Sequence, residues 1–317
     1  MSFDSAMDAH PSLQIPRTGI QRDWVWRGWQ VRYTYIRSTH PEATEAPPIL
    51  FLHGFGAALT QWQENLLPLS QFHTVYALDL VGFGASEKAA APYNVGFWVD
   101  QVYDFWRTFI RRPIALVGHS LGALVALTAA AGYPEMVNKL ILMTLPASRQ
   151  EVLPAWAQPI VGRIEGWFST PLLIRPLFSL IRRPRVIRSI LKMAYVNHDR
   201  VSEELIESFL VAGRDRGAAR TFSRLSYART RRDFCLNTQD LLNQVALPIL
   251  VLWGESDRVI PLTWGRQLPN LHPNLQLVEI PQAGHCPYDE AADRVNEEIL
   301  AWVRDEVQKQ DQGKSIA

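Results

Sequence analysis

The chain has 317 residues, 47% hydrophobic and 20% charged, the balance of an ordinary globular protein long enough to bury a sizeable core. Thirty-two Lys and Arg against 31 Asp and Glu leave a net charge of +1, too small an excess for a dedicated nucleic-acid binder. Cys235 and Cys286 cannot form a disulfide framework, and no run reads as a membrane span, so disulfide-rich, fibrous and multi-pass membrane classes are excluded and a reducing compartment, the cytoplasm, is expected.

Residues 1–22 are polar and unpatterned and are expected to form a mobile arm; they lack the apolar stretch of a secretory signal. From Asp23 to Arg37, Trp24, Trp26, Val31, Tyr33 and Tyr35 alternate with polar residues around Gly28, which predicts an antiparallel hairpin. Short apolar runs follow at Ile49–Leu52, Thr74–Leu80, Ile114–Gly118 and Leu140–Met143, with helical stretches between them, and two more come late, at Pro248–Trp253 and Leu275–Ile280. Strands buried on both faces of a parallel sheet read this way. The helix before Pro113 sets Trp98, Val102, Phe105 and Phe109 on one face, with Gln101, Asp104 and Thr108 off it; a final helix carries Val295, Ile299 and Trp302. The predicted fold is α/β, a mostly parallel sheet flanked by helices.

Residues 147–240 break the alternation. Pro154, Pro159, Pro171, Pro176 and Pro184 cut the first half into short pieces, and Ser202 before Glu203 and Glu204 starts a clearer helix. This span holds 16 Lys/Arg against 9 Asp/Glu, a net of +7. It is expected to be a helical cap between two parts of the core, 23–146 and 241–308, with a polar tail at 309–317.

Gly118-His119-Ser120-Leu121-Gly122 is a G-x-S-x-G sequence between the strand Ile114–Val117 and the helix-prone run Ala123–Ala131. The pattern alone is weak; strand–turn–helix context makes it a nucleophile elbow, with glycines relieving the crowding of a strained turn. A serine hydroxyl needs a base. Of the 8 histidines, His285 directly follows the last predicted strand and precedes the last helix. Asp257 lies just beyond the preceding strand, and the order Ser, Asp, His suits this architecture; Glu255 and Asp289 are the competing acids. The oxyanion calls for two backbone N–H donors, expected from Leu121 and from Phe55 in His53-Gly54-Phe55-Gly56. Gly54 and His119 are expected to contact substrate.

These segments, with Asp79 and Gly82-Phe83-Gly84-Ala85-Ser86, resemble the α/β-hydrolase family over residues 23–305. The resemblance implies a serine hydrolase needing neither cofactor nor metal. Ser120 stands where the dehalogenase and epoxide-hydrolase branches carry Asp. Carbon–carbon bond hydrolases often carry Asn before the nucleophile and Gly-Gly after it, whereas here His119 and Ala123 fill the corresponding places, which looks more like an esterase or lipase. Trp98-Val99-Asp100-Gln101-Val102 and the apolar cap are also similar to hydrolases that remove phytol from chlorophyll pigments.

The expected activity is hydrolysis of a carboxylic ester with an apolar acyl or alcohol group, through an acyl-enzyme. Thioester or carbon–carbon hydrolysis on the same residues, and a non-catalytic binding protein of this fold, stay open. Leu172, Leu173, Ile174, Leu177, Phe178 and Leu180 suit an apolar substrate, while Arg175, Arg182, Arg183, Arg185 and Arg188 leave open a peripheral contact between the cap and an anionic membrane.

Overall fold

The first two strands, β1 (Ile20–Trp26) and β2 (Trp29–Ile36), form the predicted hairpin, with Trp26 opposite Trp29. The two turn residues, Arg27 and Gly28, have φ of 49° and 86°, the backbone that matches a tight turn to strand twist. Six strands follow: β3 (Ile49–Leu52), β4 (Val75–Leu78), β5 (Ile114–His119), β6 (Val137–Met143), β7 (Ile249–Gly254) and β8 (Leu275–Ile280). They join the hairpin in one sheet of order β1-β2-β4-β3-β5-β6-β7-β8, parallel from β4 onward. The computed structural model describes residues 16–38, 40, 46–152 and 171–314; most of the expected N-terminal arm, Pro154, Pro159 and the side chains of Leu172, Leu173, Ile174 and Arg175 lie outside the described residues.

Each inner strand feeds two cores, because successive side chains point to opposite faces. Leu50, Leu52, Ile114 and Leu116 join one cluster, and Ile49, Phe51, Ala115 and Val117 the other. The first face is covered by α2 (Val95–Phe109) and α3 (Leu121–Gly132), the second by α1 (Leu66–Ser70) and the last helix. Helix α2 starts where the Asn94 side chain accepts the Phe97 N–H at 2.8 Å. Its apolar face meets the hairpin in an aromatic cluster that includes Trp24 against Phe105 and Trp26 against Phe97.

Between β6 and β7 the described residues are helical: α4 (Arg149–Val152), α5 (Pro171–Ile181), α6 (Pro184–Ala194), α7 (Glu203–Arg214), α8 (Ala218–Ala228) and α9 (Thr238–Leu242). Ser202 caps α7, as its sequence predicts, by accepting the Leu205 N–H at 3.2 Å. The insertion is fastened to the core by Lys88, whose side chain is only 5% exposed. Its ammonium donates to the Gly84 and Ser86 carbonyls at 2.6 and 3.0 Å and reaches Asp215 at 2.9 Å. After β7 come α10 (Leu262–Gly265), α11 (Pro287–Glu290) and α12 (Ala292–Lys314). Val295 and Ile299 of α12 are fully buried. Among the described residues no helix is long and apolar enough to cross a membrane.

One helix position departs from the sequence reading. Gln101, assigned to the polar side of α2, is fully buried. Its carbonyl oxygen accepts the Val81 N–H at 2.9 Å and its amide donates to the Asp79 carbonyl at 3.1 Å. Periodicity sorts residues by polarity, and a buried amide that satisfies two backbone groups escapes it. Gln101→Leu keeps volume but strands the Val81 N–H, while the Asp79 carbonyl keeps the Ser86 hydroxyl at 2.8 Å, so unfolding by chemical denaturant is expected to show a loss of about 2 kcal/mol.

Candidate active site

Ser120 sits between β5 and α3 with φ 50° and ψ −113°, a conformation that L-residues adopt only under strain. The flanking glycines explain how the turn is held. A Cβ on Gly118 would lie 2.2 Å from the Gly122 carbonyl oxygen, and one on Gly122 would lie 2.3 Å from that of Leu52. Neither position has room for a side chain, so the turn seats directly on the end of β3. That contact also brings the next residues close: a Cβ on Gly54 would meet His119 Nδ1 at 2.8 Å and Ser120 Cβ at 3.5 Å. The elbow holding Ser120 and Leu121 and the loop bearing Gly54 and Phe55 thus lie side by side.

That loop is braced from behind. Its N–H at Gly54 is accepted by Gln61 Oε1 at 3.1 Å, and the Phe55 ring packs on Phe83 with the Arg229 guanidinium 5.1 Å from its centroid. His53 is fully buried: Nδ1 donates to the Gly54 carbonyl at 2.7 Å and Nε2 accepts the Leu80 N–H at 3.0 Å. Burial pushes its pKa down to about 4, so it is a neutral structural imidazole rather than a base. Asp79 ties the loops after β3 and β4 together by accepting the Leu59 and Ala85 N–H groups at 2.6 and 2.7 Å; burial pushes its carboxyl up to about 6.

His285 lies between β8 and α11. Its Nδ1 is 2.9 Å from Asp257 Oδ2, and the Asp257 side chain is fully shielded from solvent. The second oxygen, Oδ1, accepts the Val259 and Ile260 N–H groups at 2.7 and 2.9 Å, which fixes the carboxylate plane. This pairing puts the proton on Nδ1 and leaves the Nε2 lone pair free to accept a hydroxyl proton. Glu255 is exposed, and Asp289 is engaged elsewhere, accepting the Tyr195 hydroxyl at 2.8 Å. Of the three acids considered, Asp257 is the one the fold brings to His285.

His119 lies at the junction of the two loops. It is buried, its Nε2–H donates to the His285 carbonyl at 2.8 Å, and its ring packs 4.8 Å from that of His285 and 4.9 Å from that of Tyr288. Burial holds its pKa well below the usual imidazole range. A cavity of about 260 Å³ lies between the Gly56–Gln61 loop, the Cys286–Asp289 turn and helices α6 and α7; Ser120, His119 and His285 are not among the residues that line it. Its apolar wall includes Leu191, Leu205 and Phe209, and its polar corner Tyr195, Arg200 and Asp289. Among the described residues no group of His, Cys, Asp and Glu has the makings of a metal site. Sequence reasoning passed over Gln61, Tyr195 and Glu290; each is an ordinary polar position in the pattern, and only the fold shows what it holds.

A β3–β8 sheet with helices on both sides and an elbow at the end of β5 defines the hydrolase class of α/β proteins. The sequence profile of the alpha/beta hydrolase fold matches residues 47–292, and the chain belongs to that family. It is 24% identical over 314 residues to the chloroplastic pheophytinase of Arabidopsis thaliana, across 82% of this chain and 62% of that protein, so it spans less than two thirds of this relative. It is 27% identical over 248 residues to the 2-(acetamidomethylene)succinate hydrolase of Mesorhizobium japonicum, covering 77% and 83% of the two chains. Among solved structures, a membrane phospholipase A described as a bacterial virulence factor superposes with a TM-score of 0.72 at 25% identity, over 91% of this chain and 88% of its own. Family and neighbours together show the alpha/beta hydrolase fold.

If Asp257 orients His285, Asp257→Asn keeps the shape but favours the wrong tautomer. Its kcat on a reporter ester is expected to fall by roughly 10⁴, with Glu255→Gln close to wild type. The opposite ranking in steady-state kinetics would move the role to Glu255.

Proposed function

We propose that the protein is a cofactor-independent serine hydrolase that cleaves carboxylic esters carrying an apolar acyl or alcohol group. The observation that carries this reading is the 2.9 Å pairing of Asp257 with His285 on a loop that touches the elbow holding Ser120. In the proposed reaction the Ser120 hydroxyl loses its proton to His285 Nε2 and attacks the ester carbonyl. The oxyanion rests on the Phe55 and Leu121 N–H groups. His285 then gives the proton to the leaving alkoxide, and water, activated by the same imidazole, releases the acid.

The apolar composition of the insertion argues for an apolar substrate, and a cavity that borders the histidine turn at Cys286, without reaching Ser120, has Leu191, Leu205 and Phe209 in its wall. Each methylene buried contributes about 0.8 kcal/mol, so four more carbons separate two esters by roughly two orders of magnitude. A peripheral membrane role rests on the outer surface of α5 and α6. Leu177, Leu180, Ile190 and Met193 are 42%, 45%, 45% and 51% exposed there, and Arg182, Arg183 and Arg185 between them are exposed too. Apolar residues among arginines suit an anionic lipid surface.

A fluorophosphonate probe is expected to label the wild type and fail on Ser120→Ala, which retains the fold and loses hydrolysis by about 10⁴-fold or more. Labelling at another residue, or an unlabelled wild type, would sink the serine-hydrolase reading in favour of a binding protein. Across acyl esters of rising chain length kcat/KM is expected to climb; a maximum at acetate would overturn the apolar pocket. Salt-sensitive co-sedimentation with phosphatidylglycerol vesicles is expected, and its absence would remove the membrane contact.

A further inference from the structure

The backbone around His285 is held by a group outside the three residues proposed for catalysis. Helix α6 ends at Ala194, and the last carbonyls of a helix have no intrahelical donor. The Ala194 carbonyl accepts the N–H of His285 at 2.7 Å. Beyond Ala194 the chain leaves the helix, with Tyr195 at φ −100° and ψ 140°, and the next N–H groups turn toward the histidine loop. Glu290, at the end of α11, meets them: Oε1 accepts from Val196 at 2.6 Å and Asn197 at 2.9 Å, while Oε2 accepts from Gly284 at 2.6 Å. Gly284 allows the approach, because a Cβ there would lie 2.3 Å from the Ala194 oxygen and 3.1 Å from Glu290 Oε2.

We propose that Glu290 is a positioning residue whose carboxylate locks the backbone of His285 to the end of helix α6 in the insertion, so that the insertion sets the reach of the imidazole toward Ser120 and the leaving group. Asp257 fixes the ring only relative to its own loop. His119 Nε2–H on the His285 carbonyl and the Ser256 N–H on the Ala283 carbonyl hold that loop from the core. Glu290 adds the tie to the insertion, through N–H groups from both sides of the junction, and bonds to a carboxylate are about twice as strong as neutral ones. Burial pushes the Glu290 carboxyl up from its usual range, while the three N–H donors oppose the shift. This role rests on the serine-hydrolase reading.

The test is Glu290→Gln, which preserves size but offers one acceptor oxygen, so it cannot take N–H groups from both the insertion and Gly284. Wild type and variant are compared on a p-nitrophenyl ester and an alkyl ester of the same acid, with active sites counted by fluorophosphonate titration. Nitrophenolate departs without a proton, whereas an alkoxide needs one from the His285 imidazolium as the C–O bond breaks. A displaced imidazole is therefore expected to cost kcat/KM on the alkyl ester about 10- to 100-fold more than on the activated ester. A merely structural role would lower the active fraction and leave the ratio between the two esters unchanged, and that result overturns the proposal. Hydrogen exchange reads the clamp without any substrate: amides in the 284–285 and 196–197 segments are expected to lose protection together. Unchanged protection at 284–285 overturns it as well. A wild type that neither reacts with the phosphonate nor cleaves either ester overturns the serine-hydrolase reading instead, and exchange then still decides the clamp.

Discussion

Close contact of backbone with backbone at the carboxyl ends of β3, β5 and β7 is the constraint on which the site depends. An added Cβ would fall 2.3 Å from the Leu52 oxygen at Gly122 and 2.0 Å from the Gly284 oxygen at Gly254, and at Gly118 2.2 Å from the Gly122 oxygen within the elbow itself. Side chains normally keep main chains apart. Here their absence lets the elbow rest on β3, and lets the end of β7 rest on the loop that carries His285. Substituting Gly122 or Gly254 would act on several loops at once, because each contact positions the segments on both of its sides. The 2.9 Å Asp257–His285 distance is downstream of the Gly254 contact, and the approach of Gly54 to Ser120 is downstream of the Gly122 contact.

Two of the polar anchors between the insertion and this platform rest on different physics. Lys88 reaches it from the loop after β4, but its partner Asp215 is 45% exposed, so water screens that ion pair and its worth is small. The lysine serves mainly to satisfy the Gly84 and Ser86 carbonyls. On the other side Tyr195 donates to Asp289, and Ala194, Val196 and Asn197 engage the histidine loop through main-chain groups. Beyond these polar anchors, Leu225, Ala228, Leu241 and Leu242 are buried in the core cluster and the Val95 N–H donates to the Phe234 carbonyl at 2.8 Å, so the insertion is also seated on the core by apolar and main-chain contacts.

The inner strands were legible in the sequence because they are buried on both faces, as Ile49–Leu52 coincides with β3 residue for residue; the edge strand β8, with only Leu275 and Ile280 buried, also matches its apolar run Leu275–Ile280. The hairpin declared itself by alternation around Gly28, although β1 begins at Ile20, before its first tryptophan, where the strand edge is exposed and carries no apolar signal. Ser120, Asp257 and His285 were legible because elbow glycines and strand ends are written locally. Gln101 and Glu290 were not. Each works by accepting from backbone groups far away in sequence, 20 positions for Gln101 to Val81 and 94 for Glu290 to Val196, and polarity along a chain has no record of such partners.

Cys286 gives the molecule a built-in reporter. It follows His285 directly, is 7% exposed, and sits in the wall of the cavity between the core and α6 and α7. Burial pushes its thiol up to about 12, so at neutral pH the closed protein presents almost no thiolate to an alkylating reagent. Parting of the insertion from the histidine turn would expose that sulfur further. The alkylation rate of Cys286 therefore reads how tightly the wall is packed one residue from the proposed base, with no label introduced and no substrate bound.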